Sequence, residues 1–284
     1  MTPDITILYD TMRWEEKSLL EAGRRMGVNI QMIDCRTIHL RLEDTSPEYG
    51  TVLQRCLSHY RNVHSTAALE GMGCTVINPL MTSILAGNKL YGHMLLQRSG
   101  VPTPDATVAF SKDAALEGMA KRGYPVVLKP TVGSWGRMVS RINDDESAEG
   151  ILEARDLMYP IYRVFYIEEY VRRPPRDIRA IVLGDSVAAA IYRVSGPGAW
   201  KTNTALGAKA IPCPVTGEIE DICIKASKAV GGKIVGVDLM ESEEKGLVVH
   251  EVNNTTEYKN VARVCEKDIS SLMLEYVMSV GGRQ

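Results

Sequence analysis

The run IVGVDLMESEEKGLVVHEVN, residues 234–253, decides the fold of this sequence. Two apolar segments flank the polar turn EEKG, residues 243–246, and this pattern is typical of an antiparallel β-hairpin. Partner numbers in a symmetric hairpin sum to a constant, so the turn can place Asp238 opposite Glu251. Asn253 follows two residues after Glu251 and is expected on the same face of its strand.

Two facing acids in an otherwise apolar hairpin repel each other unless a cation lies between them. Mg²⁺ prefers carboxylate and amide oxygens, and substrate phosphates often complete its coordination shell. Asp238, Glu251 and Asn253 are therefore candidate magnesium ligands. The alternative is a solvated hairpin face that carries acids without binding a metal.

A lysine and a glycine loop precede the hairpin in the sequence. Lys129 ends an apolar strand before Pro130, where it is well placed to reach an anion. Gly133 and Gly136 in the loop TVGSWGR, residues 131–137, let backbone N–H groups approach phosphate oxygens. A plain turn would explain the glycines equally well. No phosphate-loop or dinucleotide-binding fingerprint occurs in the sequence.

An acidic segment and two arginines lie between the loop and the hairpin. The segment EEYV, residues 168–171, predicts a hinge whose backbone can pair with an adenine edge and whose acids can accept ribose hydroxyls. Arg179 and Arg193 fall on successive predicted strands. Buried guanidinium groups need anionic partners, which here are a reacting phosphate or nearby acids in salt bridges.

Composition excludes several classes of protein. The 284 residues carry 33 basic and 35 acidic side chains, a net charge of −2, which argues against a non-specific nucleic-acid binder. No apolar run is long enough for a membrane helix, and no signal peptide is visible, so we expect no membrane partner and a cytoplasmic protein. The cysteines and histidines show no zinc-binding spacing.

The order of these features resembles the ATP-grasp superfamily, and within it the RimK-like carboxylate–amine ligases. The sequence is most similar to the LysX/ArgX-type ligases that act on an amino-group carrier protein in lysine biosynthesis. The similarity spans nearly the whole chain. The motifs that carry it are LYD (8–10), GSWGR (133–137), IYR (191–193), TNTA (202–205), EVNNT (251–255) and EYKN (257–260).

This resemblance implies an α/β and α+β architecture, the ATP-grasp fold with an N-terminal parallel-sheet (pre-ATP-grasp) domain. The expected parts are an N-terminal α/β domain at residues 1–88, a small lobe with its leading helix at 89–171, and a C-terminal lobe at 172–284. ATP would bind between the lobes together with Mg²⁺. Family members form homo-oligomers, so a dimer or tetramer is expected.

The resemblance also assigns roles to individual residues. Asp238, Glu251 and Asn253 would bind Mg²⁺, while Arg179, Arg193 and Asn203 would be catalytic, with Arg179 and Arg193 facing the reacting phosphate. The nucleotide-binding residues would be Lys89, Lys129, Gly133, Ser134, Trp135, Gly136, Arg137, Glu168, Glu169, Tyr170, Val171, Asp177, Arg193 and Asn203. The residues that contact the substrate would be Asn203, Thr204, Asn254, Thr255, Asn260 and Val261.

The implied reaction joins the α-amino group of α-aminoadipate to the C-terminal glutamate γ-carboxylate of a small acidic carrier protein (LysW-like). That γ-carboxylate would first take the γ-phosphate of ATP to form an acyl phosphate. Lysine-pathway members carry Asn and a small residue after the motif lysine, whereas arginine-pathway members carry Gly-Phe. Asn260 therefore points to α-aminoadipate, although Val261 departs from the usual Thr, Ala or Ser.

Three alternatives stay open at this point. The chain could be a glutamate-specific carrier ligase, a RimK-like glutamate ligase for another acceptor, or a nucleotide-binding module without catalysis. Arg172, Arg173 and Arg176 could dock an acidic carrier or form a solvated turn. Asp10 and Arg13 could grip the amino acid, but helix capping and surface pairing explain them as well.

Overall fold

The computed structural model describes residues 2–45, 48–133, 135–196, 198–202 and 207–281. They form three sheets, one parallel and two antiparallel, with helices packed against each. Among these residues, no helix combines the length and the apolarity needed to cross a bilayer.

The N-terminal sheet is parallel, as predicted, with the order β2-β1-β3-β4. Strands β1, β3 and β4 are largely buried because helices pack against both faces, whereas the edge strand β2 is partly exposed. Helix α1 ends where Gly27 adopts a left-handed φ of 70°. The elements are β1 (Ile5–Tyr9), α1 (Trp14–Met26), β2 (Ile30–Asp34), β3 (Thr51–Gln54), α2 (His59–Gly71), β4 (Val76–Ile77) and α3 (Leu80–Ala86).

The small lobe is an antiparallel sheet of order β5-β8-β6-β7, covered on one side by two helices. Asp144 begins the second of these helices by accepting a hydrogen bond from the Ser147 backbone at 2.7 Å. The elements are α4 (Lys89–Arg98), β5 (Ala106–Ala109), α5 (Lys112–Arg122), β6 (Val126–Lys129), β7 (Ser140–Ile142), α6 (Asp145–Asp156), a 3₁₀ turn (Pro160–Arg163) and β8 (Phe165–Glu169).

The large lobe is an antiparallel sheet of order β11-β10-β9-β12-β13. The predicted hairpin is its β12–β13 edge, and α7 packs on one face of the sheet. The elements are β9 (Arg176–Leu183), β10 (Ser186–Val194), β11 (Lys209–Cys213), α7 (Gly217–Ala229), β12 (Ile234–Ser242), β13 (Gly246–Asn253), α8 (Lys259–Cys265) and α9 (Ile269–Gly281).

Helix α9 packs into a core that contains residues of both β1 and β9. Met273 and Val277 are buried in one apolar cluster with Ile7 of β1 and Ile181 of β9. Full burial of such side chains contributes about 1.5–3 kcal/mol each, relative to exposure. The N-terminal sheet and the large lobe therefore share a core.

The two antiparallel sheets meet across a cleft. The end of β6 and the end of β8 in the small lobe lie against the β12–β13 hairpin, where Lys129 approaches His250. The cleft thus collects the residues that the sequence singled out.

Candidate active site

A β-bulge sets the pairing of the two hairpin acids. From Ser242↔Gly246 to Leu239↔Val249 the partner numbers follow a single register, but Asp238 then pairs with Glu251. His250 is the extra residue and has no partner across the hairpin, which defines the bulge. The predicted opposition of Asp238 and Glu251 is confirmed. Without the bulge, His250 would have faced Asp238.

Two arginines surround the buried Asp238. Arg179 forms a two-point contact with the Asp238 carboxylate, including Nη2–Oδ2 at 2.7 Å, and Arg193 Nη2 donates to the same Oδ2 at 3.0 Å. Burial would raise the pKa of Asp238, but the charges of Arg179 and Arg193 outweigh it and hold that pKa below the usual range. Arg193 also holds Asp177 through bonds of 2.6 and 2.8 Å. The salt-bridge alternative for both arginines is therefore realised in this structure.

Glu251 is less well neutralised than Asp238. Its Oε2 lies 3.7 Å from Lys89 Nζ, and its Oε1 accepts a long bond of 3.4 Å from Asn253 Nδ2. Burial would raise the pKa of Glu251, but Lys89 counters this effect and the net direction is downward. An ionised carboxylate with weak partners is thus available beside Asp238 and Asn253.

This donor set fits magnesium. Two carboxylates and an amide supply the hard oxygen atoms that Mg²⁺ prefers, and phosphate oxygens would have to complete the shell. In the part of the chain that the structure describes, no cluster of three or more His, Cys, Asp and Glu side chains is arranged to hold a metal by itself. A metal here would therefore depend on a phosphate-bearing ligand.

Lys129, which the sequence places to reach an anion, is paired with an acidic side chain in this structure. Its ammonium forms a buried ion pair with Glu168, because β6 and β8 are paired neighbours, and lies 3.4 Å from His250 Nδ1. Glu168 also accepts a bond of 2.8 Å from Tyr166. Burial tends to raise the pKa of Glu168, but Lys129 outweighs it and keeps this acid ionised. Burial, and then Lys129, lower the pKa of His250, which favours a neutral imidazole.

Most of the predicted nucleotide-binding residues line one cavity between the lobes. The exceptions are Ser134 and Asn203, which lie outside the described residues. Sequence reasoning missed Arg173, Trp200, Lys201 and His250 in its wall. The predicted residues around it are Lys89, Lys129, Gly133, Trp135, Gly136, Arg137, Glu168, Glu169, Tyr170, Val171, Asp177, Arg193, Asp238 and Glu251.

A second cavity of about 520 Å³ adjoins the first. The two share Lys89, Gly133, Trp135, Arg193 and Glu251 in their walls. Every described residue predicted to contact the substrate lines this second cavity, whereas Thr204 lies outside the described residues. The predicted members are Asn254, Thr255, Asn260 and Val261, and Asn253 accompanies them.

The N-terminal part of the chain also contributes to the wall of the second cavity. Arg13, Trp14, Cys56, His59 and Asn62 belong to this wall. No local pattern could have placed the last three there, because the contact joins residues about 200 positions apart, such as the 3.1 Å bond from Asn62 to Thr255.

Hydrogen bonds show what Asp10 and the three neighbouring arginines contact in this structure. Asp10 accepts the backbone N–H groups of Leu57 and Ser58 at 2.9 and 3.1 Å, just before α2, whose N-cap is Ser58. In the arginine cluster, Arg176 is occupied by Glu241 at 2.6 and 2.7 Å, and Arg173 donates to backbone carbonyls. Only Arg172 of these three is exposed.

Known proteins share both halves of this architecture. Residues 86–277 match the RimK-like ATP-grasp domain family, and residues 5–85 match the LysX preATP-grasp domain. The chain therefore belongs to the RimK-like ATP-grasp family and is an ATP-grasp ligase.

The chain is 39% identical to the alpha-aminoadipate–LysW ligase LysX of Sulfurisphaera tokodaii, over 95% of this chain and 96% of that protein. It is 32% identical to the glutamate–LysW ligase ArgX of Sulfolobus acidocaldarius, over 96% of this chain and 97% of the relative. The ATP-grasp ligase PsnB, solved with its minimal precursor, Mg and ADP, has the same fold, with a TM-score of 0.74 at 17% identity over 98% of this chain and 97% of PsnB.

Proposed function

We propose that this chain is a Mg²⁺- and ATP-dependent ligase that joins the α-amino group of α-aminoadipate to the C-terminal glutamate of a LysW-like carrier protein. The observation that carries the proposal is the group of Asp238, Glu251, Arg179 and Arg193 at the junction of the two cavities. One cavity has the residues for a nucleotide and the other opens toward a second substrate. The similarity of this chain to relatives named for this reaction supports the choice of substrates.

The reaction requires a carboxylate to attack a polyanion, which is repulsive in water. Asp238, Glu251 and Asn253 would hold Mg²⁺, which supplies positive charge to the phosphate oxygens when bound. Arg179 and Arg193 add two guanidinium groups that are already oriented by carboxylates, so little reorganisation is needed when negative charge develops nearby. Positioning both substrates in adjoining cavities also removes much of the entropic cost of bringing them together.

The glycine loop is tied down over the junction of the cavities. Lys89 Nζ donates to the Gly133 carbonyl at 2.6 Å, Lys201 Nζ to the Gly136 carbonyl at 3.0 Å, and Trp135 Nε1 to Glu257 at 3.2 Å. A loop anchored in this way can exclude water from the site. We propose that it protects the acyl phosphate from hydrolysis until the amino group attacks.

The choice of α-aminoadipate over glutamate depends on one methylene group. A fitted pocket discriminates such a difference by only about 1–3 kcal/mol. Asn260 and Val261 both line the substrate cavity, but Val261 is 1% exposed and also belongs to the apolar core. We therefore propose that Asn260 selects the substrate and that Val261, which replaces a smaller residue of the motif, acts through packing.

Purified protein tests the proposal directly. ADP release is measured with ATP, Mg²⁺ and a LysW-like carrier, in the presence of α-aminoadipate or glutamate, and the carrier mass is recorded. We expect ADP release to depend on the carrier and the carrier to gain one α-aminoadipate residue. Turnover that is stimulated only by other acceptors would contradict the proposal, and a preference for glutamate would make the chain a glutamate–carrier ligase.

The proposal includes two properties of the whole protein. We propose that the ligase is a cytoplasmic homo-oligomer, a dimer or a tetramer, as expected for its family. Light scattering of the purified protein measures its mass, and a mass of 31.3 kDa, that of a single chain, would contradict the oligomer.

A further inference from the structure

Arg13 carries an unused hydrogen-bond donor at the wall of the substrate cavity. In the part of the chain that the structure describes, three buried side-chain atoms lack a hydrogen-bond partner, namely Nη1 of Arg13, Nε of Arg122 and Nη1 of Arg155. Of these three arginines, only Arg13 lines either of the cavities described above. A buried donor without an acceptor costs about 1–3 kcal/mol, and a bound anion would remove this cost.

The Arg13 side chain is held rigidly. Its Nε and Nη2 atoms donate to Glu16 at 3.1 and 2.6 Å, and its backbone N–H bonds the same carboxylate at 2.9 Å. Glu16 is fully buried and also accepts a bond of 3.1 Å from Arg55 Nε. Two of the three guanidinium nitrogens of Arg13 are therefore occupied, and Nη1 remains for a ligand.

The carboxylates around Arg13 leave its Nη1 atom without a hydrogen-bond acceptor. One carboxylate, Glu16, serves both Arg13 and Arg55. Glu257 forms a looser ion pair, at 3.6 Å from Arg13 Nη1, which is longer than a hydrogen bond, and it accepts the Trp135 indole N–H. Glu15 accepts two backbone N–H groups at the start of α8. A carboxylate ligand would supply the acceptor that Nη1 lacks.

Arg13 also lies beside the residue that is proposed to select the substrate. Glu15 accepts the backbone N–H groups of Tyr258 and Lys259 at 3.2 and 3.1 Å, which ties the start of α1 to the start of α8. Asn260 is the next residue of α8 and lines the same cavity as Arg13. Arg179 and Arg193, which would face the reacting phosphate, line the same cavity.

We infer that Arg13 Nη1 binds the side-chain carboxylate of the incoming acidic amino acid. This assignment rests on the proposed function and deepens it. The α-amino group has to reach the acyl phosphate near Arg179 and Arg193, so the distal carboxylate is the group left for the N-terminal wall. Because Glu16 fixes the guanidinium, Arg13 sets the distance between this carboxylate and the reaction centre. Arg13 and Asn260 together then determine which side-chain length of the amino acid the site accepts.

The test compares Arg13→Met with Arg25→Met, a matched exchange at the exposed end of the same helix. KM is measured for α-aminoadipate, for its uncharged analogue norleucine, for ATP and for the carrier. We expect Arg13→Met to raise the KM for α-aminoadipate about 10- to 100-fold, the effect of losing a hydrogen bond to a charged group. Its KM values for ATP and carrier, and all values of Arg25→Met, should stay within about twofold of the wild type.

The uncharged analogue identifies which carboxylate Arg13 binds. If Arg13 binds the distal carboxylate, Arg13→Met loses the preference for α-aminoadipate over norleucine. An equal loss for both compounds would assign Arg13 to the α-carboxylate, and a raised KM for the carrier alone would assign it to the carrier. Either result overturns the inference.

Direct binding separates this inference from the proposed function. Calorimetry of α-aminoadipate with the wild type and Arg13→Met needs no turnover, so it gives an answer even if the carrier is not the true acceptor. Equal affinities, or no binding to the wild type, would overturn the role of Arg13. If Arg13→Met does not fold, Arg13→Lys takes its place, because it keeps the charge but lacks the fork that bonds Glu16, and we expect weaker α-aminoadipate binding with unchanged ATP binding.

Discussion

Asp238 and Glu251 face each other across the β12–β13 hairpin because His250 is bulged out of the register. Side chains on a strand alternate between the two faces of the sheet, so one extra residue decides which side Glu251 occupies. The bulge therefore places the two acids opposite each other, beside Arg179 and Arg193. Bulges are common next to active sites, where they aim a side chain.

Glu251→Gln should abolish ligation in a folded protein. The change removes a charge that the site needs, and we expect kcat to fall at least about 100-fold. Glu251 opposes Asp238 and its bond from Asn253 is long at 3.4 Å, so the free energy of unfolding should change by less than about 1 kcal/mol. Glu244→Gln, in the exposed turn of the same hairpin, is the control and should be fully active. Normal turnover of Glu251→Gln would exclude Glu251 from the metal site.

The stabilisation of the protein against thermal unfolding by bound nucleotide should depend on Mg²⁺. A non-hydrolysable ATP analogue at about 100 times its Kd stabilises a protein by about 2.7 kcal/mol, which is measurable as a rise in Tm. We expect the full rise only with Mg²⁺, since Asp238 and Glu251 would otherwise face the phosphates without a counter-ion. In Glu251→Gln the magnesium-dependent part should disappear. An equal rise with and without Mg²⁺ would contradict the proposed ligands.

Asn260→Gly should shift the substrate preference toward glutamate. Asn260 lines the substrate cavity, and its removal takes away a polar contact there. The ratio of kcat/KM for α-aminoadipate to that for glutamate should fall by about 10-fold or more, within the 1–3 kcal/mol that separates substrates differing by a methylene. Competition between the two amino acids for one carrier measures this ratio. An unaltered ratio would show that Asn260 is not the selector.

Glu16→Gln should lower the free energy of unfolding strongly at neutral pH and less in acid. The charges of Arg55 and Arg13 outweigh burial and lower the pKa of Glu16 below its ordinary value of 4.5. A lowered pKa contributes stability above the unfolded value, and this stability is lost as the pH falls through the folded pKa. We expect a loss of about 3–5 kcal/mol at pH 7, typical of breaking a buried ion pair.

Urea unfolding between pH 7 and pH 3 measures this effect. The difference in unfolding free energy between wild type and Glu16→Gln should narrow as the pH falls below about 4.5. Glu21→Gln, exposed on the same helix, is the control and should differ from the wild type by less than about 0.5 kcal/mol throughout. A difference that is constant with pH would contradict the ionised state of Glu16.

Local patterns in the sequence predicted the parallel N-terminal sheet and the hairpin acids, and these predictions are confirmed. Each depends on neighbouring residues, such as the alternation that puts Asn253 on the face of Glu251. The ATP-grasp family, also confirmed, was predicted from the order of motifs along nearly the whole chain. The domain bounds and the roles of individual site residues stay predictions.

Features that depend on distant partners could not be predicted. The ion pair of Lys129 with Glu168 follows from the pairing of β6 with β8, and the wall around Arg13 and Asn62 follows from the contact between the two ends of the chain. The bulge at His250 has no sequence signal of its own, because an apolar strand accepts an extra residue without a change of pattern.

The position of α9 also determines when the protein can finish folding. Met273 and Val277 of α9 belong to the same apolar core as Ile5 and Ile7 of the first strand. During synthesis on the ribosome, β1 therefore emerges long before the residues that shield it. The nascent chain exposes part of this apolar core until α9 has been synthesised, and a product terminated before α9 would keep it exposed and be prone to aggregation.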